Sequence, residues 1–372
     1  MLNFKFCVTS DLHIRQDGRI FKTRAKPFGD LPYSLEQISQ YLNDNSDIKL
    51  LILSGDIFDY RNLDSSSLHI FDSFLASLKH IETILYVQGQ HDFSNPPWPD
   101  VIRDSRLHHL NMDSPFVYND VYFYGSDYTG RPDELILKCS PFVQSSYPIV
   151  LVLHETWKFT DNFPFFSEGA RLSENLKLLI SGDIHGHELS VLPNGGLFLS
   201  PGCIAPNTIA EDFIKYFHII RYSNDTGKFE VQPIPLKTRP IYKFELKSEE
   251  DVKRVLNTNF DTGLPNDLAH PLIVVYCSSS SLFVEFRSRF KQPYVFYKTL
   301  KNSQESSSDA SVNVRDAYNI RHFFMQYFED TGDVAGLLYD SIGKSDKISL
   351  YSAIKALYKY WEKSYGNRIT KN

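Results

Sequence analysis

The first 200 residues predict an α/β domain whose sheet is covered. Three observations predict it. Short apolar runs recur, and each ends in a small or polar cluster. Segments with apolar residues at helical spacing lie between them. Alternation of the two element types makes an α/β layer structure, in which ligands gather at the carboxyl ends of strands.

The elements follow in order. Phe4–Val8 runs into Thr9-Ser10-Asp11-Leu12-His13, and Leu50–Leu53 runs into Ser54-Gly55-Asp56. Ile84–Val87 runs into Gln88-Gly89-Gln90-His91-Asp92, and Ile149–Leu153 into His154-Glu155. Leu178–Ile180 runs into Ser181-Gly182-Asp183-Ile184-His185-Gly186-His187, and Leu197–Leu199 into Ser200-Pro201-Gly202. Runs of Val, Ile, Leu, Phe and Tyr bounded by Gly, Ser and Asp read as buried strands. Leu35, Ile38, Tyr41 and Leu42 share one helical face, as do Leu68, Phe71, Phe74, Leu75 and Leu78.

Beyond residue 213 the pattern changes. Ile214–Pro235 reads as two strands around an Asn224-Asp225-Thr226-Gly227 turn, closed by Lys237-Thr238-Arg239-Pro240. Ile241–Leu246, Leu272–Cys277, Leu282–Phe286 and Tyr294–Leu300 read as strands of a small second α/β unit, with an acidic helix after Ser248. Lys301–Asn313 carries five serines and reads as a linker. Helices are predicted after it, with Ile320, Phe323, Phe324, Tyr327 and Phe328 on one face and Leu350, Ile354, Leu357 and Trp361 on another. The expected domains are 1–238, 239–300, a linker at 301–313 and a helical tail at 314–372.

Composition narrows the function. The chain has 372 residues, 42% of them hydrophobic, so a sizeable core is within reach. Its 39 Lys and Arg stand against 45 Asp and Glu, a net charge of −6, which excludes a protein that coats nucleic acid through bulk positive charge. A local basic path remains open: Arg15, Arg19, Lys22, Arg24 and Lys26 follow the first polar cluster. No run reaches the roughly 18 apolar residues of a membrane span, and Lys5 and Asp11 make a poor signal peptide of the N-terminus. Four dispersed cysteines without a CxxC pair point away from zinc knots and disulfides, and toward a reducing, cytoplasmic setting.

Asp11, His13, Asp56, His91, Asp92, His154, Asp183, His185 and His187 all follow predicted strands. Carboxylates mixed with imidazoles suit manganese, iron or zinc, and a shared carboxylate such as Asp56 permits a cation pair. Gly55, Gly89 and Gly182 fit sharp turns that aim the neighbouring side chains inward. His69, His80, His108 and His109 are assigned no role.

In that order, Asp11-Leu12-His13, Gly55-Asp56-Ile57-Phe58-Asp59, Gly89-Gln90-His91-Asp92, His154 and Gly182-Asp183-Ile184-His185 resemble the five motifs of calcineurin-like metallophosphoesterases. Gly55-Asp56-Ile57-Phe58-Asp59, Ser200-Pro201-Gly202-Cys203 after the last motif, and a strand pair leading to Lys237-Thr238-Arg239-Pro240 narrow the resemblance to SbcD-type nucleases, which tailed phages also carry. The resemblance implies a four-layer sandwich of two mixed sheets flanked by helices, a small α/β capping domain that binds DNA, and a C-terminal helical tail. It implies one cation on Asp11, His13, Asp56 and His185, and a second on Asp56, Gln90, His154 and Asp183. His91 would orient substrate or protonate the leaving oxygen, and Asp59 would hold the His91 ring. Two positions depart from the family pattern: Gln90 stands for Asn, and Asp183 for His. The added carboxylate biases the second site toward manganese, with magnesium as the alternative, over zinc; His187 is a candidate substitute ligand.

The implied activity is hydrolysis of phosphodiester bonds at double-stranded DNA ends, by a homodimer in the (host) cytoplasm with no membrane association. The implied partner is an SbcC-like SMC/ABC ATPase, docked by Leu350, Ile354, Leu357 and Trp361. A phosphatase of small phosphoesters and a DNA-end-binding scaffold with a weakened metal site are the competing readings.

Overall fold

A computed structural model of the chain describes residues 3–15, 30–130, 146–156, 173–208, 211, 214–260, 262–264, 268, 270–277, 279–291 and 295–299. Arg19, Lys22, Arg24 and Lys26, the 301–313 linker, and the 314–372 tail with Leu350, Ile354, Leu357 and Trp361 lie outside the described residues.

In chain order the elements are β1 (Phe4–Thr9), α1 (Asp30–Asp44), β2 (Leu50–Ser54), α2 (Ser65–Ser77), β3 (Thr83–Val87), α3 (Trp98–Val101) and β4 (Leu107–His109). A second run comprises β5 (Phe116–Tyr118), β6 (Val121–Ser126), β7 (Ile149–His154), β8 (Leu176–Gly182), β9 (Glu188–Val191) and β10 (Leu197–Ser200). Then come β11 (Lys215–Ser223), β12 (Lys228–Leu236), β13 (Ile241–Leu246), α4 (Glu249–Leu256), β14 (Leu272–Cys277), α5 (Ser280–Arg289) and β15 (Val295–Thr299).

Two six-stranded mixed sheets make the sandwich, ordered β12-β11-β1-β2-β3-β4 and β5-β6-β7-β8-β10-β9. Strands β1 to β4 are parallel in the first, and β6, β7, β8 and β10 in the second. The period of two sorts their side chains. Phe6, Val8, Leu50, Ile52, Leu85 and Val87 meet Val121, Phe123, Val150, Val152, Leu178 and Ile180 between the sheets. Their neighbours Cys7, Leu51, Leu53, Ile84 and Tyr86 turn to the other face, onto Leu35, Ile38 and Leu42 of α1 and Phe71, Phe74 and Leu75 of α2. Burial on both faces explains why these strands read as unbroken apolar runs. Asp64 caps α2, its carboxylate accepting from Ser67 N at 2.9 Å.

The predicted Ile214–Pro235 strand pair is the β11–β12 hairpin, turned at Gly227 with φ 63°. Asn119 and Asp120, at φ 49° and 62°, close the tight β5–β6 hairpin. Beyond Pro240, β13, β14 and β15 form a parallel three-stranded sheet with its own core of Leu246, Val252, Val255, Ile273, Val275 and Phe286. Ser248 and Asp251 form a capping box at the start of α4. The predicted strand Leu282–Phe286 is instead part of α5. Ser279 caps it by accepting from Leu282 N at 3.3 Å, and Phe286 stacks on Phe290, four residues on, at 4.8 Å. Arg239, nearly buried, ties the connecting segment back to α1 by bonding Asp30 Oδ1 at 3.0 Å.

Among the described residues no helix is long and apolar enough to cross a membrane. Cys7, Cys203 and Cys277 are buried free thiols.

One histidine pair makes the fold acid-sensitive. His218 on β11 is fully buried, its Nε2 3.0 Å from His187 Nδ1, and the rings stack at 4.7 Å. Burial first, then His187, holds His218 down at about 3, and burial lowers His187 as well. The unfolded chain therefore takes up protons below its ordinary histidine range that the folded chain refuses. Stability is full above about pH 6.5 and falls as pH drops from there toward 3. Denaturation midpoints between pH 6.5 and 4 should fall less steeply in His218→Leu, by about one proton's slope; parallel curves would contradict this.

Candidate metal centre

Five loops deliver the candidate ligands to one end of the two sheets. Asp11 and His13 follow β1, Asp56 follows β2, Gln90 and His91 follow β3, His154 ends β7, and Asp183 and His185 follow β8. Asp11, His13, Asp56 and Asp183 all adopt left-handed backbone, with φ of 50°, 47°, 49° and 80°. Such strain costs on the order of 1–3 kcal/mol per residue and persists only where the surroundings enforce it. Here a backbone ladder enforces it: Asp11 N donates to Gly55 O at 3.1 Å, His13 N to Asp56 O at 2.9 Å, and Ile14 N to Ile57 O at 2.9 Å. Asp92, fully buried, braces two of the loops by accepting from Phe58 N and Gly89 N, both at 2.9 Å. Burial first, and then Asp56, lifts its carboxyl to about 7. Two glycines are sterically required. A Cβ on Gly55 would overlap the His154 ring, and one on Gly89 would overlap Asp56 Oδ1.

The side chains converge. His13 Nε2 lies 3.0 Å from His185 Nε2, 3.8 Å from Asp11 Oδ1 and 3.7 Å from Asp56 Oδ2. His185 Nε2 is 4.0 Å from Asp11 Oδ1. His154 Nε2 is 3.5 Å from Asp56 Oδ2 and 4.0 Å from Asp183 Oδ1. Gln90 Nε2 donates to Asp183 Oδ1 at 2.8 Å, so the two positions that depart from the family pattern meet each other. Thr156 donates to the other Asp183 oxygen. His91, a third exposed, stands at the rim with Nε2 3.8 Å from Asp56 Oδ2.

The donor chemistry fits cations. His154 Nδ1 donates to Ser54 O at 2.7 Å, because a carbonyl only accepts, so in the neutral imidazole the lone pair is on Nε2 and aims inward. Among the described residues, that Nε2, Asp11 Oδ2 and Gln90 Oε1 are buried atoms with no hydrogen-bond partner. Burial pushes Asp11 up while His154, His13 and His185 pull it down, and the net is upward. Burial also opposes charge on Asp56, but His154 beside it and the neighbouring imidazoles His13 and His91 bring it to about 2. Burial works against a charged His154, yet Asp56 and Asp11 lift it to about 10. The same negative field would attract a cation, and ligation by neutral imidazole would release protons. Asp11 with His13 and His185, and Asp11 with Asp56 and His154, are groups whose ligand atoms all lie within 4.8 Å of one another.

Several expected roles change. Asp59, expected behind His91, places Oδ1 3.1 Å from His13 Nδ1, and Arg15 bonds its other oxygen. Arg15, expected on DNA, is only 8% exposed, because it spans from Asp59 to the Tyr60 ring, 5.0 Å away. Its charge is used inside the protein. His187, the candidate substitute ligand, is engaged by His218 instead. Sequence reading missed Glu211, whose Oε1 sits 3.0 Å from His185 Nδ1. No motif spacing marks it.

Strand-end carboxylates and imidazoles gathered between two facing α/β sheets define a class, the metal-dependent hydrolases of phosphoester bonds. Residues 4–187 match the family described as Calcineurin-like phosphoesterase. Comparison with curated proteins gives no match. Among solved structures, a putative 5'-nucleotidase from Staphylococcus aureus, crystallised with alpha-ketoglutarate, is 13% identical over 63% of this chain and 54% of that one, with a TM-score of 0.42. The chain thus spans about half the length of that protein. The calcineurin-like phosphoesterase YfkN from Bacillus subtilis is 12% identical over 63% of this chain and 90% of the other, at 0.41. The NAD nucleotidase of Haemophilus influenzae is 12% identical over 77% and 60%, at 0.40.

Gly89→Ala should cost ~1–3 kcal/mol by forcing Asp56 aside and should weaken manganese binding at least about tenfold. Calorimetric titration checks this; wild-type affinity in the variant would contradict it.

Proposed function

We propose that the chain cuts phosphodiester bonds at the ends of double-stranded DNA, as the nuclease subunit of a recombination and repair complex of the SbcD type. The supporting observation is the buried cage with His91 at its rim, on loops whose Gly55–Asp59, Ser200–Cys203 and Lys237–Pro240 motifs resemble that group. Asp11, His13, Asp56 and His185 would hold one cation, and Asp56, Gln90, His154 and Asp183 a second. Manganese is the metal of choice, with magnesium as the alternative. Bound there, the cations would polarise the phosphoryl oxygens and lower the pKa of attacking water.

The chain's own residues do the rest. Ser54 O fixes the second nitrogen of His154, and Asp59 Oδ1 lies 3.1 Å from that of His13. His91 orients the phosphate and donates a proton to the departing sugar oxygen. Cys7 and Cys203 are not nucleophiles: both are fully buried, and burial drives both thiols far above their ordinary range. Arg19, Lys22, Arg24 and Lys26 extend the reading to a phosphate-tracking loop. The α/β unit around β13–β15 would cap the substrate. The tail would dock an SMC-like ABC ATPase, and two copies would bridge an end in the cytoplasm.

The same cage would serve small phosphoesters, so the substrate comparison decides. End-labelled duplex DNA with manganese should be degraded by the wild type far faster than p-nitrophenyl phosphate is hydrolysed. His91→Ala should lose about 10²-fold or more in turnover while still binding manganese. Intact DNA beside rapid phosphatase activity would establish the small-ester reading. An unchanged rate in His91→Ala would remove its role.

A further inference from the structure

We propose that Glu211 is a positioning residue for the metal centre: its carboxylate, clamped by the buried Lys215, holds the His185 ring so that Nε2 faces the cations. The proposal rests on the cage reading above, and Glu211 lies beyond the segment that matches the family.

Glu211 Oε1 takes His185 Nδ1 at 3.0 Å. A carboxylate there accepts, so Nδ1 carries the proton and the Nε2 lone pair points at His13 Nε2 and Asp11. Glu211 itself is held from the other side. Its Oε2 accepts from Lys215 Nζ at 2.9 Å, Cys203 Sγ at 3.3 Å and Asn207 N at 3.1 Å. Lys215 is 4% exposed and also reaches His185 O at 3.5 Å.

This clamp separates two alternatives. His185, Cys203 and Glu211 are close enough to resemble a metal trio of their own. The Lys215 ammonium on the same carboxylate excludes a cation by like charge. The spent lone pairs of Oε2 also keep Glu211 from swinging in as a direct ligand. What remains is a neutral carboxylate–ammonium brace that orients the ring without adding charge to the cage. His13 carries a parallel device, with Asp59 on Nδ1 and Arg15 on Asp59. Two imidazoles facing each other at Nε2 are thus each backed by a paired carboxylate.

The test follows manganese binding by calorimetry and the His185 tautomer by ¹⁵N NMR, in wild type, Glu211→Ala and Glu211→Gln. Wild type should bind two equivalents, with His185 protonated on Nδ1 in metal-free protein. Glu211→Ala should lose about 10–100-fold in affinity at one site only and show mixed tautomers. Glu211→Gln keeps an accepting oxygen, so it should fall between the two, and it decides the matter alone if the alanine variant does not fold. Wild-type affinity at both sites with an unchanged tautomer in both variants would overturn the brace. A wild type that binds no manganese would contradict the cage instead, while the tautomer comparison would still decide the brace.

Discussion

Two imidazole nitrogens face each other at 3.0 Å, and the rest of the site depends on that contact. His185 has Nδ1 bonded to Glu211 and His13 has Nδ1 3.1 Å from Asp59, an arrangement that turns both Nε2 atoms into the same volume. Two lone pairs at that distance repel unless something positive sits between them. Asp11 and Asp56, both buried, add negative charge to the same volume. Buried charge without compensation costs several kcal/mol per ion. Divalent cations meet the requirement at once, because each converts mutual repulsion into ligation. Protons meet it only in part, which is why Asp56 and Asp11 draw His154 up so far.

The scaffold supplies the force that brings these groups together. Left-handed backbone at Asp11, His13, Asp56 and Asp183 is unfavourable locally. It is held by parallel ladders whose side chains are buried on both faces, and by Asp92 bridging two loops. Packing energy in the strands is thus converted into fixed geometry at their ends. Each of the three buried-cage imidazoles then has a group behind it: Ser54 O for His154, Asp59 with Arg15 for His13, and Glu211 with Lys215 for His185. His91, a third exposed, stands at the rim.

What was legible in the sequence was the strand-end rule. Each of the runs around Val8, Leu53, Val87, Leu153 and Ile180 is a buried parallel strand, and the polar residues after them meet in space. Helix faces were legible through spacing, as at Leu35, Ile38 and Leu42. Edge strands β4 and β5 were not, since three residues show no period. The Leu282–Phe286 run was misread because its aromatic and β-branched content outweighed the Ser279 cap and the Phe286–Phe290 spacing. Partner choice was the least legible. Asp59 reads as a partner of His91 and Arg15 as a DNA contact, and only the fold places them behind His13. Glu211 is reached through tertiary structure alone.

Anomalous diffraction from crystals soaked in manganese tests the central claim most directly. Two peaks are expected, one among Asp11, His13, Asp56 and His185, and one among Asp56, Gln90, His154 and Asp183. Strand-end loops whose side chains point apart, or no peak among them at saturating manganese, would contradict it.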